Sequence, residues 1–245
     1  MINLFYGTVF DKGRNRYFRS MKTLFLFLIP SLFTLSSCID IIDDLTINND
    51  GSGSLKYTIN LSSSKLKINS ILALDSLDGK RVPDIEEIKA RVASFEKRFE
   101  AKAGISNVKI ESNYVDFFFR LSCDFTSATA LQNALRDVIE EESKEKNIPE
   151  LNSTWISWDG TKLSRDIPEI TVKKTKELKV EDIELLKQGK YTSITRFQRA
   201  IEKFDNPAAQ LSQNKLAVML KTNPYSLSQN SKLLENTIYL SPLKN

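Results

Sequence analysis

Hydrophobic and polar residues alternate over several short stretches of this chain, and apolar residues recur every three or four positions over others. Residues 40–48 read as a strand, with Leu45 and Ile47 on the face shared by Ile39 and Ile41. Asn48, Asn49, Asp50 and Gly51 tolerate the positive φ that a turn requires. Leu55, Tyr57, Ile59 and Leu61 alternate with Lys56, Thr58 and Asn60, so a second half-buried strand completes a hairpin. Residues 63–74 read as a short helix or an irregular segment. Pro83 and Asp84 open a helix in which Ile85, Ile88, Val92, Phe95 and Phe99 make one apolar stripe. Glu86 and Glu87 at its start, and Lys97 and Arg98 near its end, complement the helix dipole.

The next strand pair covers residues 105–111 and 115–125. In the second, Val115, Phe117, Phe119, Leu121, Cys123 and Phe125 share a face, which predicts a central core strand. A helix over 127–147 buries Leu131, Ala134, Leu135, Val138 and Ile139. Trp155 and Trp158 begin a hairpin around Asp159 and Gly160 that runs to residue 167. The two indoles have opposite parity, so one belongs in the core and the other stays partly exposed. A helix over 180–188 stops at Gly189. Tyr191, Ser193, Thr195 and Phe197 define a strand, Ile201 and Phe204 continue the sheet, and residues 216–220 and 237–240 supply the last strands. Hairpin-length connections predict an α+β fold: a mainly antiparallel sheet built from β-hairpins with helices packed on one face. Residues 38–245 read as a single domain, with room for a strand-rich subdomain over 190–245.

The segment before residue 38 has another character. Met21, Lys22 and Thr23 precede a mostly apolar run over 24–35, the build of an export signal. The apolar stretch from Leu24 to Ile39 is 16 residues long, short of the roughly 20 that span a bilayer. Residues 1–20 read as an N-terminal extension that export does not need, with Met21 as the initiator. Leu35-Ser36-Ser37-Cys38 resembles the lipobox of bacterial lipoproteins: an aliphatic residue, two small residues and Cys. That resemblance implies that 21–37 is a lipoprotein signal peptide. The small residues fit a peptidase groove, and the Cys38 thiol takes a diacylglyceryl thioether before cleavage makes it the first mature residue. Burial of acyl carbons contributes about 0.8 kcal/mol per methylene, so two or three chains hold a domain on a membrane durably.

Charge then changes meaning. The chain of 245 residues has 35 Lys and Arg, 31 Asp and Glu, no His and a formal net charge of +4. Lys12, Arg14, Arg16, Arg19 and Lys22, against Asp11, precede Cys38 and account for all of that excess. From Cys38 onward the chain is neutral, so the basic balance speaks for export and not for nucleic acid. Without His there is no Ser-His-Asp or Cys-His chemistry and no imidazole metal site. Two Cys make neither a disulfide framework nor an all-Cys zinc site. Cys123, in an apolar stripe, reads as a small buried hydrophobe. Gly51-Ser52-Gly53 lacks the Gly-Lys-Ser/Thr of a phosphate loop and reads as a turn. Glu140, Glu141 and Glu142 point about 100° apart on a helix and read as a solvated face. Lys173, Lys174 and Lys176 form a basic patch with acidic neighbours. No Asp or Glu reads as standing on an apolar strand face, where burial would tune it for catalysis.

The lipobox, the hairpin after Cys38, the strand over 191–197, and the terminal stretches 212–218 and 237–240 resemble the uncharacterised α+β lipoproteins of Bacteroidota. The same hairpin resembles the start of LppM-type lipoprotein domains. The resemblance implies anchoring to the outer membrane, on its periplasmic or cell-surface face, with Cys38 as the only functional residue carried over. Asp40, Asp43 and Asp44 resemble lipoprotein surface-export signals. The expected function is a non-enzymatic binding or envelope-assembly module, with no cofactor, whose partners are the membrane and an envelope protein or glycan. The alternatives are a lipid-handling module with a cavity between sheet and helices, and a His-free glycan hydrolase built on a carboxylate pair.

Overall fold

The structure is a computed structural model that describes residues 39–77, 79–143, 147–168 and 180–243. The lipobox residues Leu35, Ser36, Ser37 and Cys38 and the basic segment 173–176 lie outside the described residues.

β1 (Asp40–Ile47) and β2 (Gly53–Asn60) form the expected hairpin. Gly51 is required at its turn: φ is +86°, and a Cβ would sit 2.7 Å from Cδ1 of Trp158. α1 (Lys65–Leu72) has no buried residue, and a short ladder of β3 (Ser76–Leu77) with β4 (Lys80–Arg81) leads to α2 (Ile85–Glu100). Asp84 caps α2 by accepting the Glu87 N–H at 2.8 Å. Next come β5 (Ile105–Asn113), β6 (Phe118–Phe125), α3 (Ala128–Ser143), β7 (Ile156–Trp158) and β8 (Lys162–Arg165). They are followed by α4 (Val180–Gln188), β9 (Lys190–Phe197), β10 (Ile201–Phe204), β11 (Gln210–Leu211), β12 (Ala217–Thr222), α5 (Pro224–Gln229) and β13 (Asn236–Leu240).

The main sheet has seven strands in the order β11-β12-β9-β1-β2-β6-β5. All its pairs are antiparallel except β1 with β9, which run parallel from Asp40 opposite Lys190 to Ile47 opposite Phe197. The fold is thus α+β and mainly antiparallel, with one parallel pair that hairpin reasoning does not supply. β2 occupies one edge of β1, and a strand far along the chain takes the other. A second sheet, β10-β13-β8-β7, packs on the same face of the main sheet as α2 and α3. The strands after residue 190 divide between the sheets: β9, β11 and β12 lie in the first, β10 and β13 in the second.

Several local expectations shift. β6 begins at Phe118, not at 115. The Asn113 Oδ1 accepts the N–H groups of Val115 at 2.9 Å and Asp116 at 3.0 Å, which turns the chain there. Val115 is consequently 68% exposed. The middle strand of the sheet is β1, while β6 lies one place in from the edge. Cys123 is 2% exposed, and burial pushes its thiol up to about 11, as suits a packed hydrophobe. Trp155 is buried and Trp158 half-buried, the latter stacked on Phe197 at 6.3 Å. The three glutamates do not converge on one ligand: Glu140 accepts the Ile148 N–H at 3.2 Å, while Glu141 and Glu142 both pair with Arg98 of α2.

Candidate functional site

α3 has a wider apolar stripe than the sheet covers. Leu131, Ala134 and Val138 are buried, whereas Leu135 and Ile139 are only partly so. They border a cleft of about 510 Å³ between α3 and the main sheet. Its floor comes from alternate residues of neighbouring strands: Ile41, Asp43 and Leu45 of β1, Leu55 and Tyr57 of β2, Leu121 of β6 and Tyr191 of β9. Trp155, Ile156 and residues 165–168 form a wall. Leu186 of α4 and Pro224 and Leu227 of α5 line the end where β1 begins.

A buried amide fixes that wall. Gln132 of α3, 5% exposed, accepts the backbone N–H groups of Trp155 at 2.8 Å and Ile156 at 3.0 Å. The entry to β7 is thereby tied to α3 instead of sliding down to fill the gap. Arg136, one turn on, stacks over the Trp155 ring at 5.7 Å.

One polar cluster interrupts the hydrocarbon. Register places Asp43 beside Tyr57 on one side and Ser193 on the other. Arg165, at the end of β8, reaches down from the second sheet. Its Nη2 pairs with Asp43 Oδ2, and its Nη1 donates to Ser193 Oγ and Thr195 Oγ1, both at 3.1 Å. Tyr191 donates its hydroxyl to Asp43 Oδ2 at 3.1 Å. Asp43 Oδ1 is buried and has no hydrogen-bond partner among the described residues. Burial is the largest single influence on Arg165 and opposes its charge, but Asp43, Tyr191 and Asp44 together outweigh it, and the guanidinium is held more firmly protonated. Burial first, and the Asp43 charge second, push the Tyr57 and Tyr191 phenols well above their ordinary range.

Asp43 overturns one reading of the sequence, that no carboxylate stands on an apolar strand face. It shares its face with Ile41, Leu45 and Ile47 and is 8% exposed. The parity was visible; the partner was not, because Arg165 lies 122 positions away. Asp44, on the opposite face, forms a two-point ion pair with Arg196. Cys38 and its lipobox fall outside the described residues, so the predicted lipidation residues are not brought to the cleft by anything described. Asp43, Arg165, Tyr57 and Tyr191 are the site residues that sequence reading missed.

Among the described residues, no group of three or more acidic or thiol side chains is placed to hold a metal ion. No helix among them is long and apolar enough to cross a membrane. No protein-family model matches the chain, and no curated protein matches it. A solved structure is similar: the NMR structure of the folded domain of the LppM protein from Mycobacterium tuberculosis. Its TM-score is 0.39 at 12% identity, over 83% of this chain and 91% of that one.

Proposed function

We propose that this chain is a non-enzymatic lipoprotein, held on the bacterial outer membrane by lipid on Cys38, whose domain takes an acyl chain into the cleft. The observation that carries this reading is the cleft itself. At about 510 Å³ it falls within the roughly 300–1,000 Å³ of small-molecule sites, and hydrocarbon side chains dominate its lining. Each methylene moved from water into such surroundings contributes about 0.8 kcal/mol. The lining favours binding over catalysis, because the Asp43 carboxylate is engaged by a guanidinium and a phenol instead of standing ready to move a proton.

Chain length favours a membrane source for the occupant. Ile41, in the cleft floor, follows Cys38 by three residues, a reach of about 10 Å in extended chain. A lipid on Cys38 therefore keeps the β1 end of the cleft next to the bilayer. This sharpens the broader expectation of an envelope-binding module into lipid handling.

The chain's two tryptophans provide the test. Trp155 lines the cleft, and Trp158 packs against the turn at Gly51. The full chain is placed in vesicles whose phospholipids carry brominated acyl chains, which quench indoles on contact. Trp158→Phe, which leaves Trp155, should be strongly quenched, and Trp155→Phe should not. Equal, weak quenching in both variants would contradict the reading.

A further inference from the structure

An anchor so close to β1 decides which end of the main sheet faces the bilayer. Resting on the Cys38 anchor proposed above, we infer that α1 and the turn over residues 113–117 form a second, non-covalent membrane contact, an apolar face that docks on the phospholipid surface. β1 starts at Asp40, two residues after Cys38, a reach of about 7 Å in extended chain. Register sets Asn60, the last residue of β2, opposite Asp40, and Phe118, the first of β6, opposite Asn60. Asn113, the last residue of β5, lies opposite Phe118. The chain leaving β2 towards α1 and the turn joining β5 to β6 therefore stand at the end of the sheet where the anchor enters.

These segments carry the two most exposed large apolar side chains among the described residues, Leu66 at 75% and Val115 at 68%. Local structure holds both out. α1 has no buried residue. At the turn the Asn113 side chain takes the Val115 and Asp116 N–H groups, and Phe117, at φ +51°, is the residue that is buried. The two segments are tied together: the Leu61 N–H donates to the Phe117 carbonyl at 3.0 Å, and Lys65 Nζ pairs with Asp116 Oδ1 at 3.0 Å. Leu66 and Val115, each next to one member of that ion pair, thus belong to one surface. Exposed apolar side chains grouped in this way mark a contact surface. The charge around them suits lipid headgroups. From Gly51 to Leu74 the chain has three Lys and no Asp or Glu, and Lys190, beside Asp40 in register, is exposed. Apolar side chains that enter the boundary of headgroup and acyl chain, flanked by lysines that stay at the headgroups, are the pattern of an interfacial helix. The anchor brings a bilayer to this face, and nothing comparable brings a second copy of the chain there.

The test places the full chain in vesicles of phosphatidylethanolamine and phosphatidylglycerol and recovers the bound protein by flotation. A nitroxide is attached at Val115→Cys and, in a separate sample, at Asp50→Cys in the β1–β2 turn, at the opposite end of the sheet. Cys123, 2% exposed, does not compete for the label. Collisions with oxygen, which concentrates in hydrocarbon, are compared with collisions with a water-soluble nickel chelate by paramagnetic resonance. Oxygen should dominate at position 115, at a depth of about 5 Å or more below the phosphates, and nickel at position 50. Leu66→Asn, combined with Val115→Cys, should shift the label at 115 towards water with flotation unchanged. A chain that floats but shows nickel dominant at both positions would overturn the docked face while leaving the anchor intact. Shielding of position 115 from both reagents would mean that protein covers it, and would overturn the inference as well. A chain that does not float would overturn the anchor and the docked face together.

Discussion

Replacing Arg165 with Met removes the cation from a buried pair whose side chains are each 11% exposed. Asp43 then keeps the Tyr191 hydroxyl and loses the guanidinium that offsets its burial. Removing one partner of such a pair costs about 3–5 kcal/mol, because the remaining ion cannot return to water. For a domain of this size, each kcal/mol lowers the midpoint by about 2–4 °C, so Arg165→Met should melt roughly 6–20 °C lower. Asp43→Leu with Arg165→Met removes both charges and leaves hydrocarbon on hydrocarbon. The double variant should recover most of the loss, since replacing a buried pair outright is often neutral or stabilising by about 1–4 kcal/mol. Thermal and urea unfolding followed by far-ultraviolet circular dichroism measures all four corners of this cycle. An Arg165→Met loss below about 1 kcal/mol, or a double variant no better than the single, would refute the reasoning.

Three further outcomes follow from particular groups. The folded chain keeps the Tyr57 and Tyr191 phenols protonated above pH 10, where unfolded tyrosines release theirs. Stability is therefore intact below pH 10 and falls as pH rises beyond it; Tyr57→Phe should flatten that decline in urea melts taken from pH 8 to 12. Gln132→Leu leaves the buried N–H groups of Trp155 and Ile156 unpaired and should cost about 1–3 kcal/mol in the same melts. Cys38→Ser should move the chain from the membrane pellet to the soluble fraction or stop its processing, and unchanged retention with normal cleavage would defeat the lipid anchor.

Much of the fold was legible because period two and period 3.6 report which face a residue takes. The β1–β2 hairpin, the capped start of α2, the stripe of α3 and the turn at Asp159 and Gly160 all follow from local pattern. Pairing between distant strands does not. Nothing in the alternation of Tyr191, Ser193, Thr195 and Phe197 says that β9 lies parallel to β1, or that β10, four residues on, enters a different sheet. The cleft was legible only by halves. Leu135 and Ile139 belong to an apolar stripe, but whether a stripe meets the sheet or borders a gap depends on how far β7 stands off. The Gln132 bonds to the β7 backbone set that distance. Asp43 shows the cost of reading charge before parity: a carboxylate between Ile41 and Leu45 faces inward when a cation from another sheet comes to meet it.

The most direct test of lipid handling is the amount of non-covalent acyl lipid that accompanies the purified full chain, released by organic solvent and quantified by mass spectrometry. The Leu135→Trp variant fills the cleft from its α3 wall and leaves every residue of the Asp43 cluster unaltered. About one acyl lipid per unaltered chain, and little in Leu135→Trp at unchanged stability, is the expected result. A chain that carries no such lipid, or carries the same amount in both forms, would contradict it.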